Sequence, residues 1–108
     1  MKTILTIIQP DGTTTTETAK ERPSDVPLER LQQLVGGYIE LLPKYGSSPT
    51  AEAWAPAFKT VYVNEEGKLL GMEPNFPAME AIGWPTSMAD HWLMGPVVIL
   101  EKAPSNGA

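Results

Sequence analysis

The sequence predicts a single α+β domain. It would be built on a mainly antiparallel sheet of five or six strands, with a β-β-α-β opening and one or two short helices. Three observations predict this. One β-branched run occupies residues 3–8 (Thr-Ile-Leu-Thr-Ile-Ile) and another residues 97–100 (Val-Val-Ile-Leu). Between them, one segment, residues 27–35, places its apolar residues clearly at helical spacing. Eleven Pro and nine Gly in 108 residues interrupt the chain often enough to keep every element short. A hydrophobic fraction of 42% and a charged fraction of 19% suit a folded chain with one core. Residues 1–102 are expected to form the domain and 103–108 (Ala-Pro-Ser-Asn-Gly-Ala) a flexible tail.

Residues 2–9 read as a strand buried on at least one face, because β-branched side chains pack well on a pleated surface. Pro10-Asp11-Gly12 is a turn, since proline presets one backbone angle and glycine admits the left-handed one. The threonine-rich run through Thr18 has strand propensity but no apolar face, which suits an edge strand pairing back on the first. Pro27 sits where a helix starts, with Ser24 or Asp25 near enough to cap it. Leu28, Leu31, Leu34 and Val35 would form its buried stripe, and Gly36-Gly37 its stop.

Tyr38 to Leu42 predicts a strand ended by Pro43, with Glu40 facing solvent. Residues 44–57, which include Trp54, read as a surface loop or a short helix. Phe58 to Val63 alternates as a strand. Asn64-Glu65-Glu66-Gly67 predicts a tight turn with Gly67 left-handed, and Lys68 to Met72 the returning strand of a hairpin. Asn75 to Ile82 has room for one to two helical turns before Gly83-Trp84-Pro85 breaks it. Val97 to Leu100 is the last core strand.

The absence of cysteine excludes disulfides, thiolate metal sites and a cysteine nucleophile. A single histidine, His91, excludes sites needing two imidazoles of this chain. The net charge of −5 is spread over the chain, with −1 in residues 1–34 and −2 in each of 35–74 and 75–108. No third offers a basic face, so nucleic-acid binding is not expected. The first apolar run is too short to span a membrane, and a cytoplasmic protein is the expectation.

Four segments taken in order resemble one family. They are Leu34-Val35-Gly36-Gly37-Tyr38-Ile39-Glu40, Val63-Asn64-Glu65-Glu66-Gly67-Lys68, Pro74-Asn75, and Met94-Gly95-Pro96-Val97-Val98-Ile99. Together they resemble domain-of-unknown-function family 3846, whose members are small proteins of bacteria, phages, plasmids and related elements. The resemblance spans about residues 1–101. It implies a compact α+β domain of mobile-element origin and no reaction.

Four constellations bear on function. Glu40, Glu65 and Glu66 could meet at one end of the sheet and hold a hard cation, though adjacent turn glutamates usually point apart into water. His91 beside Asp90 has the parts of a general base, but neighbours on an extended segment face opposite sides and no nucleophile is evident. Gly36-Gly37 follows a helix and so is a cap, not a phosphate cradle. Trp54, Trp84 and Trp92 all fall in irregular segments, where they either plug the open side of the sheet or form a recognition surface.

The expectation is therefore a protein without metal or cofactor that binds a protein partner. Trp54, Trp84, Trp92 and Asn75 are its candidate binding residues, and Asn64, Gly67, Gly36 and Gly37 are structural turn residues. Two other readings stay open: a small-molecule binder sequestering a signalling nucleotide, and a metal-dependent enzyme using the three glutamates. Self-association into a homo-oligomer is compatible with all three.

Overall fold

In a computed structural model, residues 3–42 and 59–102 are described. Five strands form one antiparallel sheet in the order β2-β1-β5-β4-β3. They are β1 (Thr3–Ile8), β2 (Thr14–Ala19), β3 (Ile39–Leu41), β4 (Lys59–Asn64) and β5 (Val97–Lys102). Among the described residues the α-helices are α1 (Leu28–Val35) and α2 (Phe76–Ile82). The β-β-α-β opening is present as expected. Trp54, the 44–57 segment and the 103–108 tail lie outside the described residues.

The sheet carries a separate apolar layer on each face. α1 covers one, where Leu31 and Val35 pack on Leu5, Ile7, Val98 and Leu100. α2 and the segment after it cover the other, where Ala78, Met79, Ile82 and Leu93 pack on Ile8, Val61, Val63, Val97 and Ile99. β5 lies at the centre of the sheet, and Val97, Val98, Ile99 and Leu100 are all buried. A strand enclosed on both faces reads as a continuous apolar run, as this one does.

Three expectations about α1 meet different outcomes. Its apolar stripe is present through Leu31 and Val35, with Leu34 half-buried. Gly36 ends it in the left-handed conformation at φ 81°, its N–H bonded to the Gln32 carbonyl. Leu28, however, is 56% exposed. Its helical phase is close to that of Val35, so its place in the first turn, not rotation of the helix, leaves it in water. The capping expectation is also corrected. Pro23–Asp25 forms its own 3-10 turn, and Pro27 is the N-cap with no side-chain cap bond. The fixed φ of proline sets the helix entry in place of a hydroxyl or carboxylate.

The predicted 64–67 hairpin is not there. Residues 65–71 run through consecutive turns, with Leu70 N–H on the Glu66 carbonyl and Met72 N–H on the Gly67 carbonyl. No strand returns over Lys68–Met72, because the sheet position beside β4 is taken by β5. Gly67 does not have positive φ; Gly71 does, at 68°. Glycine is needed at position 67 for a different reason. A Cβ there would stand 2.7 Å from the Met94 carbonyl oxygen.

Candidate functional site

Two buried asparagines organise the region around β4 and α2. Asn64 ends β4; its Nδ2 donates to the Val35 carbonyl at 3.1 Å and its Oδ1 accepts from Glu66 N–H at 2.7 Å. One side chain thus fixes the end of α1 and starts the turn. Asn75 is fully buried and caps α2, accepting from Ala78 N–H at 3.0 Å. Its Nδ2 donates to the carbonyls of Ile8 at 2.7 Å and Gly95 at 2.9 Å. Asn75 was a candidate binding residue. The structure gives its side chain three internal partners and leaves it no accessible surface, which makes it a structural tie.

The chain after α2 crosses the sheet without regular structure, apart from a 3-10 turn at Ala89–His91. Gly83 ends α2 in the left-handed conformation, and residues 84–94 then form a strap over the β4 side of the sheet. Two tryptophans close the strap on itself. Trp84 Nε1 donates to the His91 carbonyl at 2.7 Å, and Trp92 Nε1 donates to the Thr86 carbonyl at 2.9 Å. Both rings pack on the α2-side core and both stay partly exposed. Phe76 meets Trp92 edge-on, with ring centres 4.8 Å apart, the geometry that sets a positive ring edge against a negative face. Trp84 and Trp92 therefore plug the sheet, as one of the two expectations had it, and leave part of each ring at the surface.

Beside these rings lies a cleft of about 320 Å³. Its walls come from the strap (Trp84, Trp92, Leu93, Met94), from β3, the residue after it and β4 (Glu40, Leu42, Val63) and from the turn that replaces the hairpin (Glu65, Lys68, Leu69). Strand pairing explains the convergence. Glu40 pairs with Val63, and Glu65 N–H bonds the Tyr38 carbonyl, so both glutamates emerge from neighbouring strand ends. Lys68 Nζ donates to the Asp90 carbonyl and ties the turn to the strap. Leu69 is 84% exposed at the rim. Asp90 and His91 also line the cleft, both on the exposed 3-10 turn.

The three-glutamate set is thus only partly assembled. Glu40 and Glu65 share the cleft, whereas Glu66 does not line it. Among the described residues no three His, Asp or Glu side chains converge as a metal would require. Among them, too, no helix is long and apolar enough to cross a membrane. Sequence reasoning missed Lys68 and Leu69 as cleft residues. The signal for Leu69 was a pair of leucines within a turn, which the hairpin expectation absorbed into a strand.

Among the described residues one titration shift is clear, and it lies away from the cleft. The Asp11 carboxyl is held below its ordinary range by hydrogen bonds from Thr13, whose backbone N–H approaches to 2.8 Å.

No curated protein and no solved structure matches the chain. A family model does: the one described as a domain of unknown function, DUF3846, matches residues 1–108. The chain belongs to that family over its whole length, as its four sequence segments implied.

Proposed function

We propose that this chain is a non-enzymatic accessory protein of a phage, plasmid or related element, and that it works by binding another protein. The mobile-element setting rests on the family resemblance alone. The site would be the cleft beside Trp84 and Trp92, and the occupant a basic, partly apolar segment of the partner. One observation carries this reading. Both indole N–H groups are bonded within the strap, so the rings are held as fixed walls and their exposed faces offer apolar area.

The energetics favour a protein over the alternatives. Covering what remains exposed of one of these rings contributes on the order of 1 kcal/mol at about 25 cal/mol per Å², and two adjoining rings add to one another. Glu40, Glu65 and Asp90 line the same cleft against Lys68, whose Nζ is already bonded to the Asp90 carbonyl. A guanidinium or ammonium group seated there would meet carboxylates and aromatic faces together. The phosphates of a signalling nucleotide would meet the same carboxylates with repulsion, so that reading is disfavoured. The metal-dependent reading is weakened by the separation of Glu66 from the other two glutamates.

Selection of peptides from a random display library on the folded chain tests the proposal. The expected result is enrichment of lysine or arginine next to apolar residues, lost on Glu40→Lys/Glu65→Lys. Both glutamates sit at the surface end of the sheet, so this variant should keep the fold. Enrichment of acidic peptides, no enrichment, or equal enrichment on the variant would count against the proposal.

A further inference from the structure

The two edges of the sheet are unlike. β3 has three residues, whereas β2 is a full six-residue strand at the other end of the order. The hairpin hydrogen bond from Gln9 N–H to the Thr13 carbonyl, 2.8 Å, sets which groups of β2 face outward. Along an antiparallel ladder, pairs that exchange hydrogen bonds alternate with pairs that do not. The Gln9 N–H points toward Thr13, and backbone groups alternate sides along a strand, so Ile7–Thr15, Leu5–Glu17 and Thr3–Ala19 are the exchanging pairs by the observed register. Thr14, Thr16 and Thr18 therefore direct their N–H and C=O groups away from β1. All three residues are exposed.

Edge strands are ordinarily guarded by lysine, proline, a bulge or an inward charge. β2 contains neither lysine nor proline, and its register with β1 runs unbroken from Thr14 to Ala19. Its only charged residue, Glu17, is paired with Arg30 of α1.

We infer that β2 is a self-association edge, on which β2 of a second copy pairs antiparallel about a two-fold axis at Thr16. The occupant follows from self-complementarity. With the axis perpendicular to the sheet, Thr16 faces Thr16 of the second copy and Thr14 faces its Thr18. All of these have outward-pointing backbone groups, so each of the resulting pairs can exchange two hydrogen bonds. Thr15 then lies opposite the second copy's Glu17 on the α1 face, and no like charges oppose one another. Shifting the register by two residues one way sets Glu17 against Glu17. Shifting it the other way leaves Thr18 without an outward-facing partner. The matched arrangement joins both sheets into one, with both α1 helices on the same side. This inference does not depend on the tryptophan cleft, which lies toward the opposite edge of the sheet.

Light scattering on a sizing column, run over rising protein concentration, tests it. The expected mass climbs from 11.7 kDa toward twice that value. Thr16→Pro removes the outward N–H on the axis but no bond to β1, so the chain should remain folded by circular dichroism and stay monomeric. Thr16→Lys sets two ammonium groups against each other on the axis and should also give a monomer, which keeps the test informative if the proline variant unfolds. Thr15→Lys faces Glu17 of the second copy and should leave the dimer intact or tighter. A wild-type chain that is monomeric at every concentration would overturn the inference. So would a dimer that survives Thr16→Lys in a folded chain.

Discussion

The two faces of the sheet are closed by different means. On one face, α1 is a regular amphipathic helix whose aliphatic side chains fill the space above β1 and β5. On the other, α2 is short, and much of the cover is an irregular strap held by side chains bonded to backbone: Asn75, Trp84 and Trp92. The first face stores its stability in apolar burial, which is non-directional and tolerant of small shifts. The second buries an apolar layer too, the larger of the two, and adds a few directional bonds that hold its strap; it also presents partly exposed aromatic rings and a cleft. One surface can serve as scaffold and the other as contact because the strap, unlike the helix, leaves aromatic rings at the surface.

The largest effect that separates the faces is expected at Asn75. Asn75→Asp would replace an amide donor by a carboxylate aimed at the carbonyls of Ile8 and Gly95 in a fully buried position. Each lost or reversed buried bond costs about 1–3 kcal/mol, more for a charge. The chain is small and its total stability is on the order of 5–15 kcal/mol. Urea unfolding should find most of that stability gone; a loss under about 1 kcal/mol would contradict the structural role given to Asn75. Leu31→Ala on the helical face should cost about 2–5 kcal/mol by cavity formation.

Next comes Gly67→Ala, which brings a methyl group against the Met94 carbonyl oxygen. It should cost roughly 1–3 kcal/mol through local displacement. That displacement should also alter the cleft, a consequence that Leu31→Ala on the far face would not share. Leu28→Ala should change stability by less than about 0.5 kcal/mol, because the side chain is mainly in water. A large loss there would mean that α1 covers more of the sheet than its buried stripe suggests.

The smallest effect is a pH dependence at Asp11. Its carboxylate accepts from Thr13, which lowers its pKa in the folded state. Stability from that bond is present above the ordinary carboxylate range and lost as pH falls through the lowered value. Asp11→Asn should lower the neutral plateau slightly and flatten the acid limb of the stability curve, leaving its low-pH end unchanged.

The same contrast explains what could be read from the sequence. α1, β1 and β5 were legible because periodicity and β-branched runs are local signals, and so were the stop at Gly36 and the helical stretch before Gly83. The hairpin at residues 64–72 was not, because whether Lys68–Met72 pairs with β4 depends on competition from β5, some thirty residues later. Gly67 was expected to be left-handed and is not; what requires a glycine there is close approach to Met94, which is tertiary. Asn75 sits just before Phe76-Pro77 at a helix start, a local capping pattern that identifies its structural role better than a binding one. At the cleft, Trp84, Trp92 and Glu40 were visible as unusual residues. Their convergence was not, because the strap carries no periodicity to place it.

The central claim is that the strap face makes contacts while the α1 face supports the fold. The most direct measurement is a two-dimensional amide and indole resonance titration with a lysine- or arginine-bearing peptide selected on the wild-type chain. The Trp84 and Trp92 indole N–H signals and the Glu40, Glu65 and Leu69 amides should shift, with α1 unmoved. Shifts clustered on α1 and leaving both indoles in place would contradict it.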